Sequence, residues 1–189
     1  MPADIILIGP VRTGKSTVGK LLAGKLNVPQ VSLDELRLPY YQEIGYDERL
    51  ARIFRARGGF LALVLYWQLF DVYSVERVLA EHSNCVFDFG AGVGVYESRE
   101  LCARIRQALQ PYPHVFLLLP SPDPAESLQI LRERDPEPPS DLNFDFNAHF
   151  LHHPGYYDLA KFTIYTKERT PEETCDGILH LAHYKGETV

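Results

Sequence analysis

The sequence predicts an α/β fold, a five-stranded parallel sheet with helices on both faces, built as one three-layer domain over its 189 residues. Three observations predict it. Short aliphatic runs, Ile5-Ile6-Leu7-Ile8 and Val115-Phe116-Leu117-Leu118-Leu119 foremost, have the unbroken apolar character of strands covered on both faces. Longer segments with apolar residues at helical spacing alternate with those runs. A turn with two glycines, Lys and Ser follows the first run: Gly9-Pro10-Val11-Arg12-Thr13-Gly14-Lys15-Ser16.

The elements follow in order. The first strand is expected at about residues 3–8, then the glycine turn, then a helix to about Leu26 with Val18, Leu21, Leu22 and Leu26 on its apolar face. A short second strand at Gln30–Leu33 ends in Asp34. Helical pattern runs from Asp34 to about Tyr41, breaks near Gly45, and returns at Asp47. Gly58-Gly59 marks a kink, and Phe60 to Ala80 continues as an unusually aromatic, apolar helix. The stretch from about 34 to 82 thus forms a helical segment on one side of the site.

Cys85 to Gly92 reads as a third buried strand ending in a carboxylate and small residues. A helix at about 97–109 leads to the fourth strand at Val115–Leu119, and another helix runs from about Asp123 to Arg134. Prolines forbid helix across Asp135 to Asp141, where a lid is expected at about 135–150. Lys161 to Thr166 is the fifth strand, and Pro171, with Glu172 and Glu173 in the first turn, opens a last helix to about Tyr184. In such a sheet, ligand lies at the carboxyl ends of the strands. Those ends are Gly9, Asp34, Asp88 to Gly92, Pro120 and Thr166.

The turn at Gly9–Ser16 is a P-loop. Its glycines, Gly9 and Gly14, let backbone N–H groups face phosphate oxygens where side chains would collide. Lys15 brings charge to the β- and γ-phosphates, and the Ser16 hydroxyl suits Mg²⁺. Thr13 and Thr17 flank them, and Arg12 either adds charge near the γ-phosphate or points outward. The following helix aims its positive end at the same anion. ATP and Mg²⁺ are therefore the expected cofactors.

Asp88 either holds Mg²⁺ through water or caps a turn. Asp34 either engages an acceptor hydroxyl, caps a helix, or does both. One of Arg132 and Arg134, just before the proline-rich stretch, is expected to reach the nucleotide from the lid, the alternative being a surface ion pair. His149, His152 and His153 lack further ligands and do not make a metal site.

Composition narrows the function classes. A content of 46% hydrophobic and 23% charged residues is ordinary for a globular protein, and a net charge of −6 opposes a general nucleic-acid binder. Cys85, Cys102 and Cys175 are too few for a disulfide framework and fit a cytoplasmic protein without a secretory segment. The longest apolar run, Phe60 to Trp67, is short for a membrane span. The expected partner is a small-molecule hydroxyl acceptor, with no nucleic acid and no membrane, and the expected state is a monomer or weak homo-oligomer.

With these residues placed, the chain resembles the shikimate kinase family over nearly its whole length. Gly9 to Ala23 resembles the family's opening, and Val31 to Leu36 its Asp-x-Asp segment. Gly90-Ala91-Gly92 falls where the family has three glycines beside the substrate. His153 to Ala160 is similar to its Pro-x-Tyr segment, and Thr166 to Thr174, with Pro171, to its adenine-side loop. The resemblance implies a nucleoside-monophosphate-kinase-like P-loop fold that moves the γ-phosphate of ATP to a hydroxyl under a closing lid. It also implies acceptor contacts at Asp34, Gly90, Ala91 and Gly92.

Departures cluster on the acceptor side. The family's first aspartate falls on Ser32, and the P-loop's middle glycine is Arg12. Its two carboxylate-binding arginines fall near Leu63 and on His152. An acceptor carboxylate set against Leu63 without a guanidinium would be desolvated at a cost of several kcal/mol. The acceptor is therefore expected not to be shikimate. Tyr66 and Trp67 either line a larger, more aromatic acceptor pocket, with His152 at its edge, or are plain core. A nucleotide-binding sensor, or a hydrolase in which water replaces the acceptor, are the competing function classes.

Overall fold

A computed structural model describes residues 4–134 and 144–184. Its strands are β1 (Ile5–Ile8), β2 (Gln30–Ser32), β3 (Val86–Asp88), β4 (His114–Leu119) and β5 (Phe162–Tyr165). Every pairing is parallel, in the order β2-β3-β1-β4-β5. The helices are α1 (Lys15–Leu26), α2 (Leu33–Glu43), α3 (Glu48–Glu81), α4 (Arg99–Leu109), α5 (Pro124–Arg134), α6 (Phe146–His152), α7 (Gly155–Leu159) and α8 (Pro171–Tyr184).

The two-residue period of the strands divides the interior into two cores. Ile6, Ile8, Phe87, Val115 and Leu117 face Val72, Val75 and Val78 of α3, with α4, α6 and α7 completing that layer. Ile5, Leu7, Val86, Phe116 and Leu118 face Val18 and Leu22 of α1 and Ile178 of α8. The expected three-layer parallel α/β architecture is present.

Two expected strands are shorter than their apolar runs suggest. Leu33 and Asp34 belong to the first turn of α2 rather than to a strand, because Ser32 takes the N-cap position. After Asp88 the chain leaves the sheet, and Gly90 to Gly94 form turns. The kink expected at Gly58-Gly59 lies at Gly59, where φ is 70° and ψ is −164°.

By length and composition α3 is apolar enough to cross a membrane. It is instead a core helix, packed between α2 and α4 and burying Leu63, Val64, Phe70, Val72, Val75 and Val78. A polar clamp fastens α2 to α3: Arg77 bridges Glu43 and Glu81, while the Tyr40 and Tyr73 hydroxyls donate to Glu81 and Glu43 at 2.7 Å each. Residues 135–143 of the expected lid lie outside the described residues.

Candidate functional site

Three strand ends meet above the sheet. β1 delivers the P-loop, β3 delivers Asp88, and β2 hands over to α2 with Asp34 in its first turn. Gly14, in the left-handed region at φ 93°, caps α1. Arg12 occupies the same region at φ 63°, a conformation that favours glycine and costs about 1–2 kcal/mol for other residues. That is the physical content of the glycine expected there.

Lys15 is buried, and its Nζ donates to the Pro10 carbonyl at 2.9 Å. The Thr13 hydroxyl donates to the same carbonyl at 3.0 Å, drawing the loop into a cradle. Burial pushes the Lys15 pKa down, while the charges of Asp88 and Asp34 pull it back up. Asp88 is also buried, and that burial raises its pKa. A hydrogen bond with Ser16 and the charge of Lys15 oppose the rise, while Asp34 and Glu35 add to it. Negative charge at this spot is thus incompletely balanced by the protein. The donors, a hydroxyl and carboxylates, are all hard oxygens, which fits Mg²⁺ held by Ser16 and Asp88.

Two cavities adjoin. The phosphate cradle, about 340 Å³, is lined by Arg12, Gly14, Lys15, Ser16, Thr17 and Asp88. A second cavity of about 150 Å³ is lined by Arg37, Val64, Trp67, Asp71 and the Gly90–Val93 turn. Val11, Asp34 and Ala91 line both, so Asp34 stands at the junction. The approach is tight: a Cβ on Gly90 would lie 2.7 Å from Asp34 Oδ1. On the other side of the cradle, Ser16 and Thr17 also border an open groove shared with Lys20 and Pro171.

The turn that carries Gly90, Ala91 and Gly92 is held by the Pro154-Gly155-Tyr156 segment. The buried Tyr156 hydroxyl donates to the Ala91 carbonyl. A Cβ on Gly155 would lie 1.8 Å from the Gly94 carbonyl oxygen, so only glycine permits this contact.

Several expected site residues lie elsewhere. Tyr66 does not line the second cavity and packs in an aromatic cluster with Tyr46, Phe54 and Phe70, its hydroxyl accepting from Asp47 N at 3.1 Å. Trp67, one residue on, faces the cavity instead. His152 is exposed, with Nδ1 2.7 Å from the Ala148 carbonyl oxygen one turn back. Phe146 and Phe150 of the same helix line the cavity. Arg132 makes an exposed ion pair with Asp145, the residue that caps α6. Arg134 reaches the P-loop, donating to the Arg12 carbonyl at 3.2 Å. Among the described residues no group of three or more His, Cys, Asp or Glu could hold a metal by itself.

Two cavity residues were missed from the sequence. Arg37 lies one helical turn from Asp34, Nη1 to Oδ1 3.5 Å, with its guanidinium carbon 5.4 Å from the centre of the Trp67 ring. Burial opposes its charge, and Tyr41, Asp34 and Asp71 together outweigh that, raising its pKa. Asp71 accepts from the Tyr41 hydroxyl, and burial raises its carboxyl from 3.8 to about 6 in spite of Tyr41 and Arg37. The Asp34-x-x-Arg37 spacing and a lone carboxylate in the apolar stretch Leu69-Phe70-Asp71-Val72 were the available signals.

A raised carboxyl pKa binds protons more tightly in the folded than in the unfolded chain. Its cost to stability is therefore absent below an ordinary 3.8 and complete above about 6. Asp71→Asn is expected to stabilise the fold by on the order of 1–3 kcal/mol near pH 8, with the gain shrinking toward pH 4. Thermal unfolding of both proteins across that range checks it, and an unchanged or lowered midpoint near pH 8 would contradict it.

No family model matches the chain. A segment of 93 residues, 48% of this chain, is 37% identical to a shikimate kinase of Persephonella marina. That segment spans 49% of the relative, so the match covers about half the length of the curated relative. Among solved structures, a shikimate kinase from Acinetobacter baumannii in complex with shikimate superposes with a TM-score of 0.68 at 18% identity, over 99% of this chain and 96% of that one. A shikimate kinase from Aquifex aeolicus gives 0.62 at 21% identity over 98% of each chain.

Proposed function

We propose, from the premise that the chain is a P-loop protein of the shikimate-kinase-like group, that it is a MgATP-dependent small-molecule kinase with an alcohol acceptor other than shikimate. The observation that carries this is the position of Asp34, shared by a phosphate cradle and a second cavity in which the Arg37 guanidinium already faces the carboxylates of Asp34 and Asp71.

The acceptor hydroxyl lies in the second cavity against Asp34, with the γ-phosphate over Lys15. The hydroxyl oxygen forms the new bond to Pγ as the bond from Pγ to the β–γ bridging oxygen breaks. The electron pair leaves on ADP, and the hydroxyl proton passes to Asp34. Such transfers pass through a loose transition state, so positioning and charge matter more than a strong base. Lys15 stabilises the charge on the transferring group and its leaving oxygen. Ser16 and Asp88 would hold Mg²⁺, which when bound would neutralise phosphate charge. The groove beside Pro171 receives the base, and Arg134 supports the P-loop from α5.

Arg134→Ala is therefore expected to weaken MgATP binding about tenfold, by roughly one charge-assisted hydrogen bond. Arg132→Ala is expected to stay within about twofold, since its exposed ion pair is with Asp145 and not with the P-loop. Titration with MgATP separates the two, and an equal loss in both would overturn the assignment.

The test of the function is ATP consumption by the pure protein against a panel of hydroxylated metabolites, shikimate included. Acceptor-dependent ADP release with a phosphorylated product supports it. Rapid turnover of shikimate would show that the acceptor side has been misread, and ADP release independent of any acceptor would favour a hydrolase.

A further inference from the structure

The acceptor cavity has an imbalance of charge. Among the described residues, its ionisable lining groups are two carboxylates, Asp34 and Asp71, and one guanidinium, Arg37. Arg37 is divided among them: it lies 3.5 Å from Asp34, within the field of Asp71, and over the Trp67 ring. Asp71 Oδ1 takes the Tyr41 hydroxyl. Its Oδ2 is turned toward the glycine turn, where a Cβ on Gly92 would lie 3.1 Å away, and both residues line the cavity.

A buried carboxylate is costly unless a cation balances it. Here burial outweighs Tyr41 and Arg37 together, so the ionised Asp71 remains under-compensated by the protein. An acceptor carboxylate would place a third anion beside one shared cation. A cationic nitrogen would supply the missing charge within a wall that includes the aromatic rings of Trp67, Phe146 and Phe150. At about 150 Å³ the cavity suits a small molecule.

We infer that the acceptor is a small alcohol that also carries a cationic nitrogen, the nitrogen received by Asp71 and the hydroxyl by Asp34. The fate of the hydroxyl rests on the kinase reading above. Recognition of the nitrogen is a binding property and stands apart from it.

The experiment uses the full chain with Mg²⁺ and a non-hydrolysable ATP analogue, and three probes of one shape: trans-4-aminocyclohexanol, trans-cyclohexane-1,4-diol and trans-4-hydroxycyclohexanecarboxylate. Calorimetry is expected to show the amine binding at least about tenfold tighter than the diol, with the hydroxy acid weakest. Asp71→Asn is expected to erase the preference for the amine over the diol. Trp67→Leu, a second variant that leaves the carboxylate in place, is expected to reduce it. Equal or tighter binding of the diol or hydroxy acid, no binding of the amine at millimolar concentration, or a preference that survives both variants would overturn the inference.

ATP turnover is then measured with the same probes. Amine binding that depends on Asp71 but yields no phosphorylated product would leave the inference standing and remove the kinase reading. Phosphorylation of the hydroxy acid in preference to the amine would do the reverse.

Discussion

Lys15→Ala is expected to lower phosphoryl transfer by roughly 10³-fold or more while leaving the fold intact. Lys15 is the buried cation of the cradle, and its Nζ sits 2.9 Å from the Pro10 carbonyl. Charge that develops on the transferring group in a water-poor site depends on such a preorganised donor, and Lys15 is the buried cation among the described residues of the loop. Arg12 is exposed, and Arg134 contacts the Arg12 carbonyl from outside the loop. The fold should tolerate the change because burial already works against the ammonium, as its lowered pKa records. Steady-state turnover and MgATP titration check the result, with thermal unfolding as the control. A variant that turns over within tenfold of the parent would contradict the placement of the γ-phosphate.

Asp34→Asn is expected to cost about 10²–10⁴ in turnover with MgATP affinity within a few-fold of the parent. The substitution keeps size and one acceptor oxygen, so it removes charge and proton acceptance rather than packing. Asp34 is exposed enough, at 62% of its side chain, that no large folding penalty is anticipated. It also separates the function classes. A kinase loses transfer and keeps nucleotide. A sensor keeps both its nucleotide and its biological output. A hydrolase that positions water with Asp34 loses acceptor-independent ADP release. Turnover that persists unchanged in Asp34→Asn would remove the junction residue from the chemistry.

Much of the fold was legible because its signals are local. Ile5 to Ile8 is apolar at every position, which only a strand covered on both faces requires, and all four residues are buried. The P-loop is legible because backbone amides and a lysine at fixed offsets define it, and no distant residue is needed to form it. Asp88 was visible as a carboxylate at the end of an apolar run, and it stands beside Ser16 and Lys15. The kink was visible as the pair Gly58-Gly59 inside a helical pattern, and the non-helical backbone lies at Gly59.

The acceptor side was less legible because α3 is apolar around much of its circumference. With aromatic residues at 60, 66, 67 and 70, period alone does not say which face meets the cavity. The angle set at Gly59 and the clamp of Arg77 on Glu43 and Glu81 turn Trp67 inward and Tyr66 toward Phe54. Arg132 and Arg134 pose the same difficulty on α5. Two positions apart on a helix is about 200° of rotation, so one arginine meets Asp145 and the other the P-loop.

The layered α/β sheet, the P-loop and the carboxylates Asp34 and Asp88 beside it could thus be read from the chain alone. Each depends on residues adjacent in the chain, whose spacing is dictated by backbone geometry. The second cavity, by contrast, arises from contacts between distant segments. Asp34 and Arg37 on α2 meet Asp71 and Trp67 on α3 through the packing of two helices, across about thirty residues of chain or more. Long-range packing of that kind leaves no periodic mark in either segment.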